Sequence, residues 1–184
     1  MNVYDFDGTI YDGDSSLDFY KFSVKKNPLI IRYVPIQIWG AILYCFKRID
    51  KTRMKEYFFS FLGGVNIDET VDEFWNKNRY KIQKWYLNQQ QPDDIIVSAS
   101  PEFLLKVVCD NLGIVHLIAS RVDPVNGHFN SLNCKGYEKV KRLVGDYSVK
   151  KIECFYSDSI SDQPLADFSD EAFLVSDGVL KRWK

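Results

Sequence analysis

Three patterns of apolar and polar positions follow one another along the chain. A very short apolar run at residues 2–4 ends at acidic residues and a glycine, which predicts a short first strand. Residues 15–91 then contain long aromatic-rich stretches with helical spacing, for example at Val71, Phe74 and Trp75. Beyond residue 91, short apolar runs alternate with amphipathic stretches. These patterns predict an α/β structure that a block of helices interrupts after the first strand.

The second half of the chain carries the clearest alternation of strand and helix. Its predicted strands are residues 95–97, 115–119, 152–156 and 172–175, and its predicted helices are residues 101–112 and 136–144. Such alternation is typical of a mostly parallel sheet covered by helices. We therefore expect a discontinuous core domain at residues 1–13 and 92–184, with a helical domain at residues 14–91 inserted into it.

The composition is that of a globular chain in a reducing compartment. Hydrophobic residues make up 46% of the 184 residues and charged residues 27%, which excludes a disordered chain. The 24 Lys and Arg nearly balance the 25 Asp and Glu, whereas a nucleic-acid-binding module normally has a basic excess. The four cysteines have no CxxC pair or metal-ligand spacing, and the N-terminus does not resemble a signal peptide. We expect a cytoplasmic protein without a nucleic-acid partner.

Carboxylates follow two of the predicted strands. Asp5 and Asp7 come directly after the first strand, and such a pair can bind a divalent cation while one member attacks and the other transfers a proton. Asp158 and Asp162 follow the strand at 152–156. Taken alone, the first pair is equally compatible with an acidic turn and the second with a helix N-cap.

A serine and a lysine complete the candidate chemistry. Ser98 precedes a predicted helix, where its hydroxyl and free backbone N–H groups suit phosphate binding, although helix capping alone would explain it. Lys135 or Lys139 follows later in the chain. Because the carboxyl ends of parallel strands meet at one edge of a sheet, we expect Asp5, Ser98 and Asp158 to converge there.

The order of these elements resembles the haloacid dehalogenase superfamily, whose members carry DxDxT, then Ser or Thr, then Lys, then an acidic pair. The matching residues are Asp5-Phe6-Asp7-Gly8-Thr9, Ser98, Lys139 or Lys135, and Asp158 with Asp162. The resemblance covers essentially the whole chain, and the Ser-Ala-Ser-Pro and Tyr-Ser-Asp-Ser-Ile-Ser-Asp strings are most similar to the phosphoserine-phosphatase-like branch. It implies a Rossmann-like three-layer core with an inserted, all-helical C1-type cap.

This resemblance implies a Mg²⁺-dependent phosphatase that acts on a small phosphorylated molecule through a phosphoaspartyl intermediate. Asp5 would be the nucleophile and Asp7 the general acid and base. Mg²⁺ would be held by Asp5, the backbone carbonyl of Asp7 and Asp158.

The remaining motif residues would support this chemistry. Ser98 and the lysine would bind the phosphoryl group, Asp162 would orient the lysine or a metal-bound water, and Thr9 would support the first loop. The string Cys-x-Gly-x-x-Lys-Val, met in relatives of this branch, favours Lys139 as the lysine. The string Lys-Gly of phosphoserine phosphatases favours Lys135. We prefer Lys139, and Lys135 stays open as the alternative.

Asp14 disfavours L-phosphoserine, the substrate that this branch implies. Phosphoserine phosphatases carry a Glu nine residues after the nucleophile to bind the substrate amino group, and the shorter Asp14 stands at that position. A helix-capping role for Asp14 is the alternative. Arg53 and Lys55 are weak candidates for the arginine that would bind a substrate carboxylate. We therefore expect L-phosphoserine to be a poor substrate, and an apolar or ring-containing leaving group to be favoured.

Residues 28–46 raise the question of a membrane span, because they are apolar with two exceptions and a span needs about 20 apolar residues. A single span would separate Asp5 from Ser98, and Pro28 and Pro35 would interrupt the helix. We expect a buried, aromatic-rich cap helix and no transmembrane span, with a weak interfacial membrane contact as the alternative.

Other functions remain open from the sequence. A phosphotransferase or phosphomutase of the same superfamily would carry the same motifs, and a catalytically quiet interaction module could use the aromatic helices as its surface. A receiver domain is disfavoured, because receivers place the acceptor Asp near the middle of the chain and not at position 5. A monomer and a homodimer are both compatible with the sequence.

Overall fold

A single six-stranded sheet forms the centre of the protein in a computed structural model that describes residues 1–149 and 151–184. Its strands are β1 (Asn2–Tyr4), β2 (Ile95–Pro101), β3 (His116–Ser120), β4 (Ile152–Ser157), β5 (Ser169–Ser176) and β6 (Val179–Arg182). Their spatial order is β3-β2-β1-β4-β5-β6, and all neighbouring pairs are parallel except β5 and β6. The predicted α/β class with a mostly parallel sheet is confirmed.

Helices and turns make up the chain between β1 and β2, apart from isolated bridges of Tyr11 with Asp7 and Ile82. The helices of this insert are α1 (Ser15–Lys26), α2 (Val34–Cys45), α3 (Lys51–Phe59), α4 (Ile67–Asn78) and α5 (Lys84–Gln89). Short 3-10 turns lie at Pro28–Tyr33, Ser60–Gly64 and Arg79–Lys81. The division into a core at 1–13 and 92–184 and a cap at 14–91 stays a prediction.

The core has three layers because successive residues of a strand point to opposite faces of the sheet. Helices α6 (Glu102–Asn111), α7 (Tyr137–Tyr147) and α8 (Gln163–Asp167) follow strands in the second half of the chain. Val3 belongs to a buried apolar cluster with Leu143 of α7 and Leu165 of α8. Tyr4, the next residue, belongs to a second cluster that contains Leu104 of α6. The second cluster continues into the insert, which is thereby attached to one face of the sheet.

The sequence patterns underestimate the last hairpin. Strand β5 is longer than predicted, and the exposed strand β6 lacks the buried apolar run that would have identified it. Asp177 and Gly178 connect the two strands with φ values of 51° and 74°. An Asp-Gly pair with two positive φ values is a common hairpin turn, so this dipeptide was the available signal.

The prediction that residues 28–46 form a buried helix is wrong. Within this range only Ile30 and Gly40 are buried. Helix α2 packs on α3 so closely that a Cβ added at Gly40 would lie 2.3 Å from the Cβ of Tyr57. The other side of α2 has no covering element among the described residues, because α2 lies at the outside of the insert. An apolar composition could not distinguish a helix covered on all sides from one covered on a single side.

Candidate active site

A pocket of about 400 Å³ opens where the loops after the parallel strands meet the helical insert. Asp5, Ser98 and Asp158 all line it, as the strand-end argument predicts. The other predicted residues that line it are Asp7, Asp14, Lys135, Lys139 and Asp162. Thr9 is fully buried behind this lining.

Lys139 connects two of the carboxylates. Its Nζ lies 3.1 Å from Asp5 Oδ1 and 2.6 Å from Asp162 Oδ2, and all three side chains are largely buried. Asp162 also accepts a hydrogen bond from the Ser157 hydroxyl at 3.0 Å. Lys139 lies in the first turn of α7, whereas Lys135 precedes the helix and has no carboxylate within salt-bridge distance among the described residues. This geometry favours Lys139 as the lysine of the motif.

The charges of this cluster depend on one another. Burial would lower the pKa of Lys139, but Asp5 and Asp162 outweigh that effect and raise it to about 12. Burial raises the pKa of Asp5, and the Lys139 ammonium opposes this rise. Lys139 therefore stays charged, and although burial leaves the pKa of Asp5 raised to about 7, this ammonium favours the ionised carboxylate. A hydrogen bond from the Phe6 backbone N–H to Asp5 Oδ1, at 2.8 Å, acts in the same direction.

Asp7 is held from two sides. The Ser15 backbone N–H, at the start of α1, donates to Asp7 Oδ1 at 2.7 Å, and the Ser100 hydroxyl donates a short hydrogen bond to Asp7 Oδ2. Burial and the nearby Asp14 carboxylate raise the pKa of Asp7 to about 6, although both hydrogen bonds oppose the rise. A fixed carboxyl group with a pKa near neutrality can both donate and accept a proton.

Ser100 is a site residue that the sequence interpretation missed. It is buried, its hydroxyl lies 3.0 Å from that of Ser16, and its backbone N–H donates to Ser98 Oγ at 3.1 Å. Two residues of an extended strand that are two positions apart point to the same face. The spacing of Ser98 and Ser100 in β2 was therefore a usable signal.

Gly8 allows Asp158 to approach the first loop. Its φ is +68°, and a Cβ added there would lie 2.2 Å from Asp158 Oδ2. The Asp158 backbone N–H donates to Thr9 Oγ1 at 2.9 Å, which joins the loop after β4 to the loop after β1. Glycine is required here because both its conformation and the space beside it exclude a side chain.

The predicted metal ligands are two carboxylates and one backbone carbonyl. Among the described residues, no group of three or more His, Cys, Asp or Glu side chains could hold a metal ion by itself. The predicted set does not require one, because Asp7 would contribute its carbonyl. Asp158 and the loop that contains Asp5 are in contact through Gly8, and an all-oxygen donor set of this kind fits a hard cation such as Mg²⁺.

Three further lysines line the pocket on the side of the insert and the loop before α7. Lys55 Nζ donates to the Ala99 carbonyl oxygen at 3.0 Å, and burial lowers its pKa to about 8. Lys135 and Lys51 lie close to each other, and this contact with a like charge lowers the pKa of Lys135. Together they add basic side chains to the pocket besides Lys139.

The two candidates for substrate contacts in the insert differ in position. Asp14 lines the pocket but also caps α1, since its carboxylate accepts the Leu17 backbone N–H at 2.9 Å. Arg53 forms an ion pair with Glu56 instead of lining the pocket, whereas Lys55 does line it. The apolar part of the lining consists of Leu17, Met54, Phe58, Phe59 and Ala99.

Several solved structures share this fold. A protein of unknown function from Bordetella pertussis Tohama I is 18% identical, with a TM-score of 0.73 over 91% of this chain and 85% of that chain. A phosphoserine phosphohydrolase-like protein from Francisella tularensis is 16% identical, with a TM-score of 0.56 over 93% and 84%. A probable phosphoserine phosphatase from Vibrio cholerae is 8% identical, with a TM-score of 0.68 over 93% and 55%. At these identities the likeness concerns the fold, which is that of phosphoserine-phosphatase-like structures.

Sequence comparison assigns the family. No curated protein matches this sequence. The profile of the haloacid dehalogenase-like hydrolases matches residues 3–167, which include every motif residue described above. The chain belongs to the haloacid dehalogenase-like hydrolase family.

Proposed function

We propose that this protein is a Mg²⁺-dependent phosphomonoesterase. Asp5 is phosphorylated by the substrate, and water then hydrolyses the phosphoaspartate. The observation that carries the proposal is the pairing of Asp5 with the buried Lys139 at the floor of a pocket that also contains Asp7. A buried cation beside a carboxylate nucleophile offsets the repulsion between that carboxylate and a phosphate dianion.

In the first step, an oxygen of Asp5 attacks phosphorus and the bond between phosphorus and the leaving oxygen breaks. The described contacts of the Asp5 carboxylate, from Lys139 and the Phe6 N–H, both go to Oδ1, which leaves Oδ2 for attack. Asp7 gives its proton to the leaving oxygen, so that an alcohol departs. The hydrogen bonds from Ser15 and Ser100 keep the Asp7 carboxyl group in place for this transfer.

In the second step, water attacks the phosphoryl group on Asp5. Asp7, now ionised, accepts a proton from that water, and inorganic phosphate leaves with Asp5 restored. Ser98 and Lys139 would bind the phosphoryl oxygens throughout. Mg²⁺ bound by Asp5, the Asp7 carbonyl and Asp158 would neutralise phosphate charge. Asp162 would keep Lys139 oriented, as their 2.6 Å contact supports.

The lining of the pocket supports a substrate with an apolar part and a second anionic group. Leu17, Met54 and Phe58 provide the apolar surface, and Lys55 and Lys135 provide basic side chains that are not paired with Asp5. L-Phosphoserine would fit poorly, because its ammonium group requires a close acceptor, and Asp14 is one methylene shorter than Glu and is held at the start of α1 by its hydrogen bond with the Leu17 N–H. This keeps the prediction that L-phosphoserine is not the preferred substrate.

The test is the release of inorganic phosphate from a broad panel of phosphate monoesters, with Mg²⁺ and with EDTA. We expect hydrolysis that Mg²⁺ restores after chelation and that Asp5→Asn abolishes without loss of the folded state. Trapping by hydroxylamine should give a hydroxamate at position 5. Full activity in EDTA, or more than a few per cent of activity in Asp5→Asn, would refute the mechanism.

The same panel tests the substrate class. Monoesters with a carboxylate or second phosphate and an apolar leaving group should have the highest kcat/KM. A kcat/KM for L-phosphoserine at least tenfold above all others would refute this assignment. Phosphoryl transfer to an added alcohol in preference to water would instead assign the protein to the phosphotransferases.

A further inference from the structure

The outer face of α2 is apolar and exposed, which reverses the usual arrangement of a surface helix. Gln37, the only amide in this uncharged helix, points inward. Its Nε2 donates to the Phe58 carbonyl oxygen at 2.9 Å, and its Oε1 accepts from the Tyr20 hydroxyl at 2.9 Å. The large exposed side chains on the side of the helix away from Gly40, here named the apolar face, are Ile38, Trp39, Ile42 and, just after the helix, Phe46. Trp39 is 55% exposed and Phe46 is 75% exposed.

The apolar face cannot belong to a helix that crosses a membrane. By length and composition, Pro28–Cys45 is the one candidate span among the described residues. Asp7 precedes this segment and Ser100 follows it, yet their side chains are hydrogen-bonded to each other. Helix α2 itself has 12 residues, so it is about 18 Å long, against a hydrocarbon thickness of roughly 30 Å. The face can therefore lie on a bilayer but not traverse it.

Cations flank the apolar face at both ends. Arg32 lies in the 3-10 turn before α2, and Lys47 and Arg48 follow directly after the helix. All three are exposed, and in the described part of the chain no carboxylate lies within salt-bridge distance of them. Long cationic side chains at the ends of an apolar helix are suited to reach lipid headgroups while the helix rests at the interface.

The positive charge is concentrated around this helix. Residues 19–55 contain nine Lys and Arg and a single acidic residue, Asp50, although the whole chain carries 24 Lys and Arg and 25 Asp and Glu. Some of the nine are engaged elsewhere, since Lys26 pairs with Glu69 and Glu73. The region as a whole is cationic within a chain of net charge −1. Its partner should therefore be anionic.

A second copy of this chain is a poor occupant for the same reason. In a two-fold interface the same patch meets itself, so the helices would pack side by side in one of two directions. Because α2 has cations at both of its ends, either direction places Arg32, Lys47 and Arg48 beside like charges. An anionic bilayer surface offers apolar contact to the apolar face and opposite charge to the flanking cations.

We propose that the apolar face of α2 docks on the surface of a bilayer that contains anionic lipids, with the helix axis parallel to the membrane. Trp39 and Phe46 enter the boundary between headgroups and acyl chains, and Arg32, Lys47 and Arg48 contact lipid phosphates. Helix α3 lies between α2 and the pocket, because its Tyr57 packs on Gly40 while its Met54, Lys55 and Phe58 line the pocket. Docking therefore places the pocket one helix away from the bilayer surface.

The test is flotation of the full chain with vesicles of phosphatidylcholine alone and of phosphatidylcholine mixed with phosphatidylglycerol. We expect binding to the mixed vesicles that weakens as salt is raised, since the cations act through a screened field. Brominated phosphatidylcholine in these vesicles should quench tryptophan fluorescence, and Trp39→Phe should remove most of that quenching. Neither readout depends on catalysis, so failure of the proposed phosphatase activity would leave this result unchanged.

Paired variants separate the two contributions. Trp39→Ser with Ile42→Ser should weaken binding at least tenfold, because both lose apolar contact with lipid. Lys47→Gln with Arg48→Gln should weaken it by about 25-fold, at roughly fivefold for each cation. The matched controls are Val115→Ser with Leu132→Ser, which are 73% and 64% exposed, and Lys141→Gln with Lys181→Gln, also exposed. The controls should bind as the wild type does.

Three outcomes would overturn the proposal. The first is no flotation with mixed vesicles at low salt, and the second is equal loss of binding in the α2 variants and their controls. The third is a dimer, measured by analytical ultracentrifugation, that Trp39→Ser dissociates while vesicles do not bind. That result would assign the apolar face to a second copy. Far-UV circular dichroism of each variant excludes loss of folding as the cause.

Discussion

The backbone of Gly8 lies directly against the carboxylate of Asp158, with only 2.2 Å between Asp158 Oδ2 and the position of a Cβ added at Gly8. This contact joins the loop after β1 to the loop after β4, which are separated by 150 positions in the sequence but lie on neighbouring strands. It places Asp158, one proposed metal ligand, beside the loop that carries Asp5, the other.

Gly8→Ala should therefore reduce the affinity for Mg²⁺. The new methyl group would displace Asp158, so we expect the Mg²⁺ concentration for half-maximal activity to rise by at least tenfold. Titration of phosphate release with Mg²⁺ measures this change.

Gly113→Ala is the matched control for that substitution. Gly113 has a similar φ of +72°, but nothing lies within 4 Å of an added Cβ. It should lose about 1 kcal/mol of stability from backbone strain and keep the wild-type Mg²⁺ dependence. Equal Mg²⁺ dependence in the two variants would contradict the role assigned to Asp158.

Lys139→Met should both inactivate and destabilise the protein. It removes the cation that contacts Asp5 and Asp162 and leaves two buried carboxylates without a counter-charge. Breaking a buried ion pair in this way costs roughly 3–5 kcal/mol of unfolding free energy, which urea denaturation measures.

Lys135→Met provides the comparison, because Lys135 lies on the pocket wall without such a pair. Its unfolding free energy should stay within about 0.5 kcal/mol of the wild type. If Lys139→Met does not fold, Lys139→Arg should fold, because it keeps the charge, and should still lose most of its kcat. Equal small losses of activity at positions 135 and 139 would show that neither lysine has the proposed role.

Ser100→Ala should lower kcat more than it raises KM. The hydroxyl holds Asp7, and a hydrogen bond to a charged group is worth about 1.5–3 kcal/mol, so a loss of about tenfold or more in kcat is expected. Ser98→Ala should instead raise KM, because we place Ser98 on the phosphate. Steady-state kinetics of the two variants on one substrate would contradict these assignments if both changed the same parameter.

Lys55 should make substrate binding depend on pH. Burial lowers its pKa to about 8, so the ammonium loses its charge as the pH rises through 8. For a substrate with a second anionic group, KM should increase above that pH. Lys55→Met should have a higher KM that no longer changes between pH 7 and 9.

Lys55→Met should also change the stability of the folded protein. The pKa of Lys55 is lowered from its ordinary value of 10.5, so the charged form is less favourable in the folded state than in the unfolded state. The fold therefore loses stability as the pH falls from 10.5 through 8, and Lys55→Met should be more stable than the wild type at pH 7. A less stable variant in urea denaturation at pH 7 would show that the ammonium contributes favourable contacts instead.

Patterns local to one element were sufficient to predict the fold class. The short apolar runs and the helices between them predict a parallel sheet because each element shows its own period, whatever covers it. The position of Asp5 directly after β1 and of Asp158 after β4 then follows from chain order, since parallel strands end at the same edge.

Contacts between elements decided the rest. Lys135 and Lys139 are four residues apart, and only the start of α7 at Tyr137 separates the buried lysine from the one on the pocket wall. Lys55 gains its place from the packing of α3 beside Ala99, a partner 44 positions away. The exposure of Trp39 depends on which elements cover α2. A sequence pattern gives the type and spacing of the side chains. Their burial and charge pairing depend on neighbours that come together only when the chain folds.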